Sequence, residues 1–187
     1  LSMELMIQGQ SLHYYEAGQG YPIVLLHGWG ANSQAFTGII QHLQKSFTVY
    51  ALDLPGFGQS PAPADIWGTE EYAKCVAEFM KQKGIEKPIL LGHSFGGRLC
   101  LHLGSWDIPR KIILVDAAGL KPKRSWQYYI KVYSYKMAKR LFMLPVLKNY
   151  RQVVLDRFTK NTGSSDYQAA QGVMRPIFVK VVNEDLI

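Results

Sequence analysis

The chain has 187 residues, 48% of them apolar and 19% charged, with only two cysteines. This is enough for one domain, or one domain with an insertion, and it excludes a disulfide scaffold or a chain too polar to fill a core. Net charge is +7, but thirteen Lys and Arg stand against four Asp and Glu from Leu120 onward, so the first 119 residues carry −2 and the rest +9.

The start, Leu1-Ser2-Met3-Glu4-Leu5, has neither a basic region nor a long apolar stretch, and Leu1-Ser2 reads as an appendage ahead of Met3. No run approaches the roughly 18 apolar residues of a membrane span. Cys75 and Cys100 lie far apart in apolar, helical settings and read as reduced core thiols. A cytoplasmic protein is therefore expected.

Glu4–Gln8 and Ser11–Glu16 predict two strands of a hairpin turning at Gly9-Gln10. After the turn Ala17-Gly18-Gln19-Gly20, the run Ile23-Val24-Leu25-Leu26 is continuously apolar, as a strand buried on both faces should be. It ends in His27-Gly28-Trp29-Gly30. Asn32 or Ser33 predicts the cap of a helix running to about Lys45. Phe47–Leu52 is the next buried strand and ends in Asp53-Leu54-Pro55-Gly56-Phe57-Gly58-Gln59-Ser60. Thr69 predicts the cap of a helix to about Gly84, with Tyr72, Val76, Phe79 and Met80 on one face.

The central stretch is Pro88-Ile89-Leu90-Leu91-Gly92-His93-Ser94-Phe95-Gly96-Gly97. A short apolar strand leads into Gly92-x-Ser94-x-Gly96, followed by an apolar pattern at Leu99, Leu101 and Leu103. A serine on a sharp strand-to-helix turn needs nearly side-chain-free neighbours two residues either side, which Gly92 and Gly96 provide. Such a turn lifts the Ser94 hydroxyl clear of the sheet and places the Phe95 amide at a helix N-terminus, where it can meet developing negative charge. Lys111–Asp116 predicts one more buried strand.

Alternating strands and helices with continuous apolar strands imply βαβ units and a mostly parallel sheet covered by helices on both faces. Ligands of such sheets bind at the carboxyl ends of the strands. His27, Asp53, Ser94 and Asp116 all fall there. Beyond Gly119 the pattern changes to aromatic-dense helical spacing from Trp126 to about Phe158, then a helix from Gly163-Ser164-Ser165-Asp166 toward Met174. Residues 1–120 are read as the core and 121–187 as a helical lid.

Four stretches in this order, His27–Gly30, Asp53–Ser60, Gly92–Gly97 and Val115–Gly119, make the chain resemble the capped, esterase-like branch of the α/β-hydrolase superfamily over about residues 5–120. The resemblance implies Ser94 as nucleophile, with the backbone N–H groups of Trp29 and Phe95 forming an oxyanion hole. A serine at this position speaks against the superfamily's epoxide hydrolases and dehalogenases, which use an aspartate there. His27 would be structural. Asp116 stands where some members place the triad acid and is the alternative acid within this chain.

A member of this superfamily carries its acid and histidine beyond the lid, and none of His13, His27, His42, His93 and His102 follows it. A base must reach the hydroxyl it deprotonates. The acid and histidine are therefore expected beyond residue 187, the last strands of the sheet with them, and the chain alone is expected to be inactive. It reads as a truncation, a cleavage product or one half of a two-chain protein. An unpaired sheet edge would invite self-association or a second polypeptide.

The expected activity is that of a serine carboxylesterase on small apolar esters. The alternatives are a carbon–carbon bond hydrolase of the same fold and a catalytically silent binding module. Asp53–Gly58 lacks the spacing and lysine of a phosphate loop, and no nucleic-acid motif or metal-ligand spacing is present. No cofactor and no metal are expected. The basic, aromatic stretch after Leu120 is read as a lid with apolar residues toward the substrate, in preference to a nucleic-acid or membrane surface.

Overall fold

The computed structural model describes residues 1–118 and 164–184, together with 126, 130 and 133. Six strands form one sheet: β1 Ser2–Ile7, β2 Gln10–Ala17, β3 Tyr21–Leu26, β4 Phe47–Leu52, β5 Ile89–His93 and β6 Lys111–Val115. Their order is β1-β2-β4-β3-β5-β6. The hairpin β1–β2 is antiparallel and joins β4 antiparallel, whereas β4, β3, β5 and β6 run parallel. Helices α1 Thr37–Leu43, α2 Thr69–Gln82 and α3 Phe95–Ser105 supply the crossovers.

Strand side chains alternate between faces, and two cores follow from that period of two. Val24, Leu26, Tyr50, Leu52 and Leu90 face α2 and α3 through Tyr72, Val76, Phe79, Phe95 and Leu99. Ile23, Leu25, Val49, Ala51 and Leu91 point the other way and meet Phe36 and Ile40. The continuous apolar runs are thus strands buried on both faces.

Three expectations are corrected. The predicted helix from Asn32 begins as a 3-10 turn, Ser33–Phe36, whose N–H at Gln34 bonds the Asn32 side chain, before α1 starts at Thr37. Thr69 is the first residue of α2 and not its cap: Gly68 precedes it, and the Glu71 carboxylate accepts the Gly68 N–H at 2.7 Å. Strand β6 is not buried. Ile113, Leu114 and Val115 are all exposed, and β6 is the outermost strand of the sheet among the described residues.

The chain divides into two compact units, 1–120 with 170–187, and 121–169. Helix α5, Met174–Asn183, belongs with the first unit because it buries Ile177 and Val181 in the main core. In the second unit, helix α4 covers Ser165–Ala169, so the helix expected to run toward Met174 stops early. Trp126, Ile130 and Tyr133 are helical and exposed; the rest of the predicted aromatic helices lies outside the described residues.

Candidate active site

Ser94 sits between β5 and α3 with φ 48 and ψ −110, a conformation that costs an L residue of order 1–3 kcal/mol and persists only where surroundings enforce it. The enforcement is visible in the backbone. The Ser94 N–H donates to the Val115 carbonyl at 3.1 Å, and its own carbonyl accepts from Gly97 at 3.0 Å and Ala118 at 3.1 Å. The flanking glycines provide space: a Cβ on Gly92 would lie 2.5 Å from the Gly96 carbonyl oxygen, and one on Gly96 would run into the Leu26 carbonyl. Ser94 is half-buried, and among the described residues its hydroxyl has no hydrogen-bond partner. Phe95 opens α3, so its N–H has no acceptor within the helix.

The loop after β3 lies directly against this turn. A Cβ on Gly28 would lie 3.3 Å from Ser94 Cβ and 2.8 Å from His93 Nδ1. Buried His27 fixes the loop from below: its Nε2 accepts the Leu54 N–H at 3.0 Å and its Nδ1 donates to the Gly28 carbonyl at 2.7 Å. These partners demand a single neutral tautomer, and burial pushes the ring's pKa below its ordinary 6.5, against the opposing pull of the Gly28 carbonyl and Asp53. Trp29 then meets Phe57, Phe95 and Phe178 edge-on, with centroids 4.9, 5.5 and 5.1 Å apart. The structure thus brings Trp29, Phe95 and Ser94 together.

The acids and histidines are arranged differently. Asp53 binds the loop backbone: its carboxylate accepts from Ser33 N–H at 2.7 Å and Gln59 N–H at 2.9 Å, and meets His13 Nδ1 at 3.1 Å. Burial would raise its pKa, but the hydrogen bonds from Gln59 and Ser33 and the neighbouring His13 outweigh that and hold the carboxyl below its usual range. The other His13 nitrogen meets the Ser2 hydroxyl at 2.6 Å, which staples the hairpin to the loop. His42 bonds the Gly38 carbonyl, and His102 lies beside Trp106. His93, next to Ser94 in the chain, is exposed with its Nδ1 toward Gly28, and among the described residues no histidine is hydrogen-bonded to the Ser94 hydroxyl.

Asp116 follows β6 with φ 45 and is exposed. The 116–118 segment is joined to Ser94 through backbone only. Cys75 and Cys100 are buried, which pushes both thiols up to about 12 and leaves them unreactive. Among the described residues, no group of three His, Cys, Asp or Glu is placed to hold a metal, and no helix is long and apolar enough to cross a membrane.

A strained serine at a strand-to-helix turn, faced by a glycine loop from the neighbouring parallel strand, is the arrangement of one family, and the model of the alpha/beta hydrolase fold matches residues 21–139. The chain belongs to the α/β-hydrolase family. A soluble epoxide hydrolase of Corynebacterium sp. (strain C12) is 34% identical over 115 residues, covering 60% of this chain and 40% of that protein. A pimeloyl-[acyl-carrier protein] methyl ester esterase of Vibrio campbellii (strain ATCC BAA-1116) is 34% identical over 121 residues, covering 63% and 45%. The crystal structure of a membrane phospholipase A matches at 28% identity with a TM-score of 0.64, over 67% of this chain and 42% of that one. The chain thus spans less than half the length of these relatives.

Sequence reasoning missed the C-terminal side of the site. Phe178 touches Trp29, and the Met174 side chain fills the space over Gly56. The signal was present as Met174, Ile177, Phe178 and Val181, an apolar stripe at helical spacing.

Proposed function

We propose that the chain carries the nucleophile and oxyanion hole of a serine hydrolase, a carboxylesterase acting on small, fairly apolar esters. The observation that carries this reading is Ser94 itself, held at positive φ with a half-exposed, unbonded hydroxyl beside Gly28 and the N-terminus of α3. Ser94 Oγ attacks the ester carbonyl while a histidine takes its proton. The carbonyl oxygen becomes an oxyanion bound by the Trp29 and Phe95 N–H groups, and the alcohol leaves with the proton. Water then hydrolyses the acyl-serine by the same route in reverse.

The histidine and acid would come from sequence outside these 187 residues, Asp116 being the acid candidate within them. The relatives named as a methyl ester esterase and a phospholipase favour ester chemistry. Kinship to the epoxide hydrolase is read as shared fold, because serine stands where the resemblance places that enzyme's aspartate.

A second reading, a silent module that keeps the fold and pocket, draws on the lack, among the described residues, of a histidine hydrogen-bonded to the Ser94 hydroxyl. Turnover of p-nitrophenyl esters by the protein with its flanking sequence separates the two. An esterase loses turnover by three or more powers of ten in Ser94→Ala. A protein with no turnover above buffer is the silent module, and unchanged turnover in the variant refutes the elbow assignment. A carbon–carbon bond hydrolase would cleave diketones in preference to these esters.

A further inference from the structure

Helix α5 lies over the loop that carries Trp29, and its two ends are fixed in different ways. At its start, Met174 fills the space above Gly56, where a Cβ would meet the Met174 thioether and where a φ of +89 disfavours any L side chain. In its middle, Ile177 and Val181 are fully buried in the main core. One residue further round, Phe178 meets Trp29 edge-on, 5.1 Å between centroids at 62°. Just past its end, Glu184 is held by two other helices. Its carboxylate accepts the Thr69 N–H at 2.9 Å at the start of α2, where a helix N-terminus favours negative charge. Its backbone carbonyl accepts from Arg98 Nη2 at 2.8 Å. One turn before Glu184, the Lys180 ammonium lies 3.7 Å from the Glu71 carboxylate and 3.4 Å from the Ile66 carbonyl.

Arg98 stands on α3 one turn after Ser94, and its N–H reaches back toward the Ser94 carbonyl at 3.4 Å. The end of α5 is therefore tied to the helix that follows Ser94, while its middle presses on Trp29, the residue proposed to supply an oxyanion-hole N–H. Trp29 is also in ring contact with Phe95, the bearer of the second N–H. An edge-on aromatic pair fixes ring orientation as well as burying area. Fixing the Trp29 ring on two sides limits rotation of the peptide that carries its N–H.

We propose that Phe178 is a positioning residue for the Trp29 N–H, and that Glu184, by clasping α2 and Arg98, holds α5 in place to do so. The first half rests on the proposed role of Trp29 as an oxyanion donor; the mechanical coupling does not. The coupling is read by amide hydrogen exchange on the 187-residue chain, which requires no activity. Phe178→Ala should raise exchange of the hydrogen-bonded amides that fix this loop, Ala31 to the Gly28 carbonyl at 3.1 Å and Leu54 to His27 Nε2 at 3.0 Å, on the order of tenfold, while amides of β3 and β4 keep their wild-type rates. Phe178→Leu keeps apolar volume but removes the ring, and should give a smaller rise at the same amides. It decides the matter if the alanine variant does not fold.

Glu184→Ala should act on the same loop without touching it, and Glu184→Gln, which can still accept the Thr69 N–H, should restore much of the protection. Loop exchange unchanged in both Phe178 variants, or rising equally in β3 and β4, overturns the proposal. In the esterase, Phe178→Leu should lower kcat with KM little changed, because an oxyanion donor acts in the transition state. Selective loop exchange without a change in kcat would leave the coupling standing and refute the oxyanion role of Trp29.

Discussion

Gly96 packs against the carbonyl of Leu26, closer than any β-carbon could lie. That contact seats α3 on β3. Gly96→Ala must push α3 away from β3, and both partners are backbone, so neither can rotate aside. The expected cost is about 3 kcal/mol or more. Gly38, on α1, has open space around its Cβ position, and Gly38→Ala should stabilise by roughly 0.5–1 kcal/mol through helix propensity. Urea unfolding of the two variants checks the contrast; equal effects would mean that the close approach at Gly96 is not what the glycine serves.

The strain at Ser94 makes a separate prediction. At φ 48 a glycine is at ease where serine and alanine are not. Ser94→Gly should therefore be more stable than Ser94→Ala by about 1 kcal/mol. Both variants lose the hydroxyl, so a difference in melting temperature between them isolates the backbone term. Equal melting would place the strain elsewhere.

His27 makes stability depend on pH with a definite sign. In the fold its pKa is lowered, chiefly by burial, whereas in the unfolded chain the ring titrates near its ordinary 6.5. Below that value the unfolded chain takes up a proton that the folded one refuses. Stability should be fully present above pH 6.5 and fall on acidification, by at most about 1.4 kcal/mol per pH unit, until the lowered folded pKa is reached. His27→Gln can keep both hydrogen bonds without titrating. Its melting temperature should change less between pH 7 and pH 5.5 than that of the wild type, and identical profiles would refute the assignment.

Among the described residues, strand β6 is the outermost of the sheet, with Ile113, Leu114 and Val115 exposed. An apolar edge with free backbone groups pairs readily with another strand. The 187-residue chain alone should show concentration-dependent association by sedimentation velocity. Val115→Lys or Ile113→Lys should shift it toward monomer. A wild-type chain that stays monomeric across the concentration range contradicts this.

Much of the fold was legible because its central strands are buried on both faces, which leaves unbroken apolar runs such as Ile23–Leu26 and Phe47–Leu52 that helices do not need. The elbow was legible because close backbone approach requires glycine at fixed offsets from Ser94, and those offsets survive in the sequence. The exposure of β6 was not: Lys111-Ile112-Ile113-Leu114-Val115 has the composition of a buried strand, and nothing local marks it as the outermost strand among the described residues. The clasp at Glu184 was also hidden, since it joins residues 115 positions apart and no local pattern marks a carboxylate that caps a distant helix.

The central claim is that Ser94 is the nucleophile. Its most direct test is to treat the protein, expressed with its flanking sequence, with a fluorophosphonate and map the adduct by peptide mass spectrometry. The account predicts one phosphonyl group on the peptide containing Ser94, absent from Ser94→Ala. An adduct on another residue, or one that persists in Ser94→Ala, would contradict it.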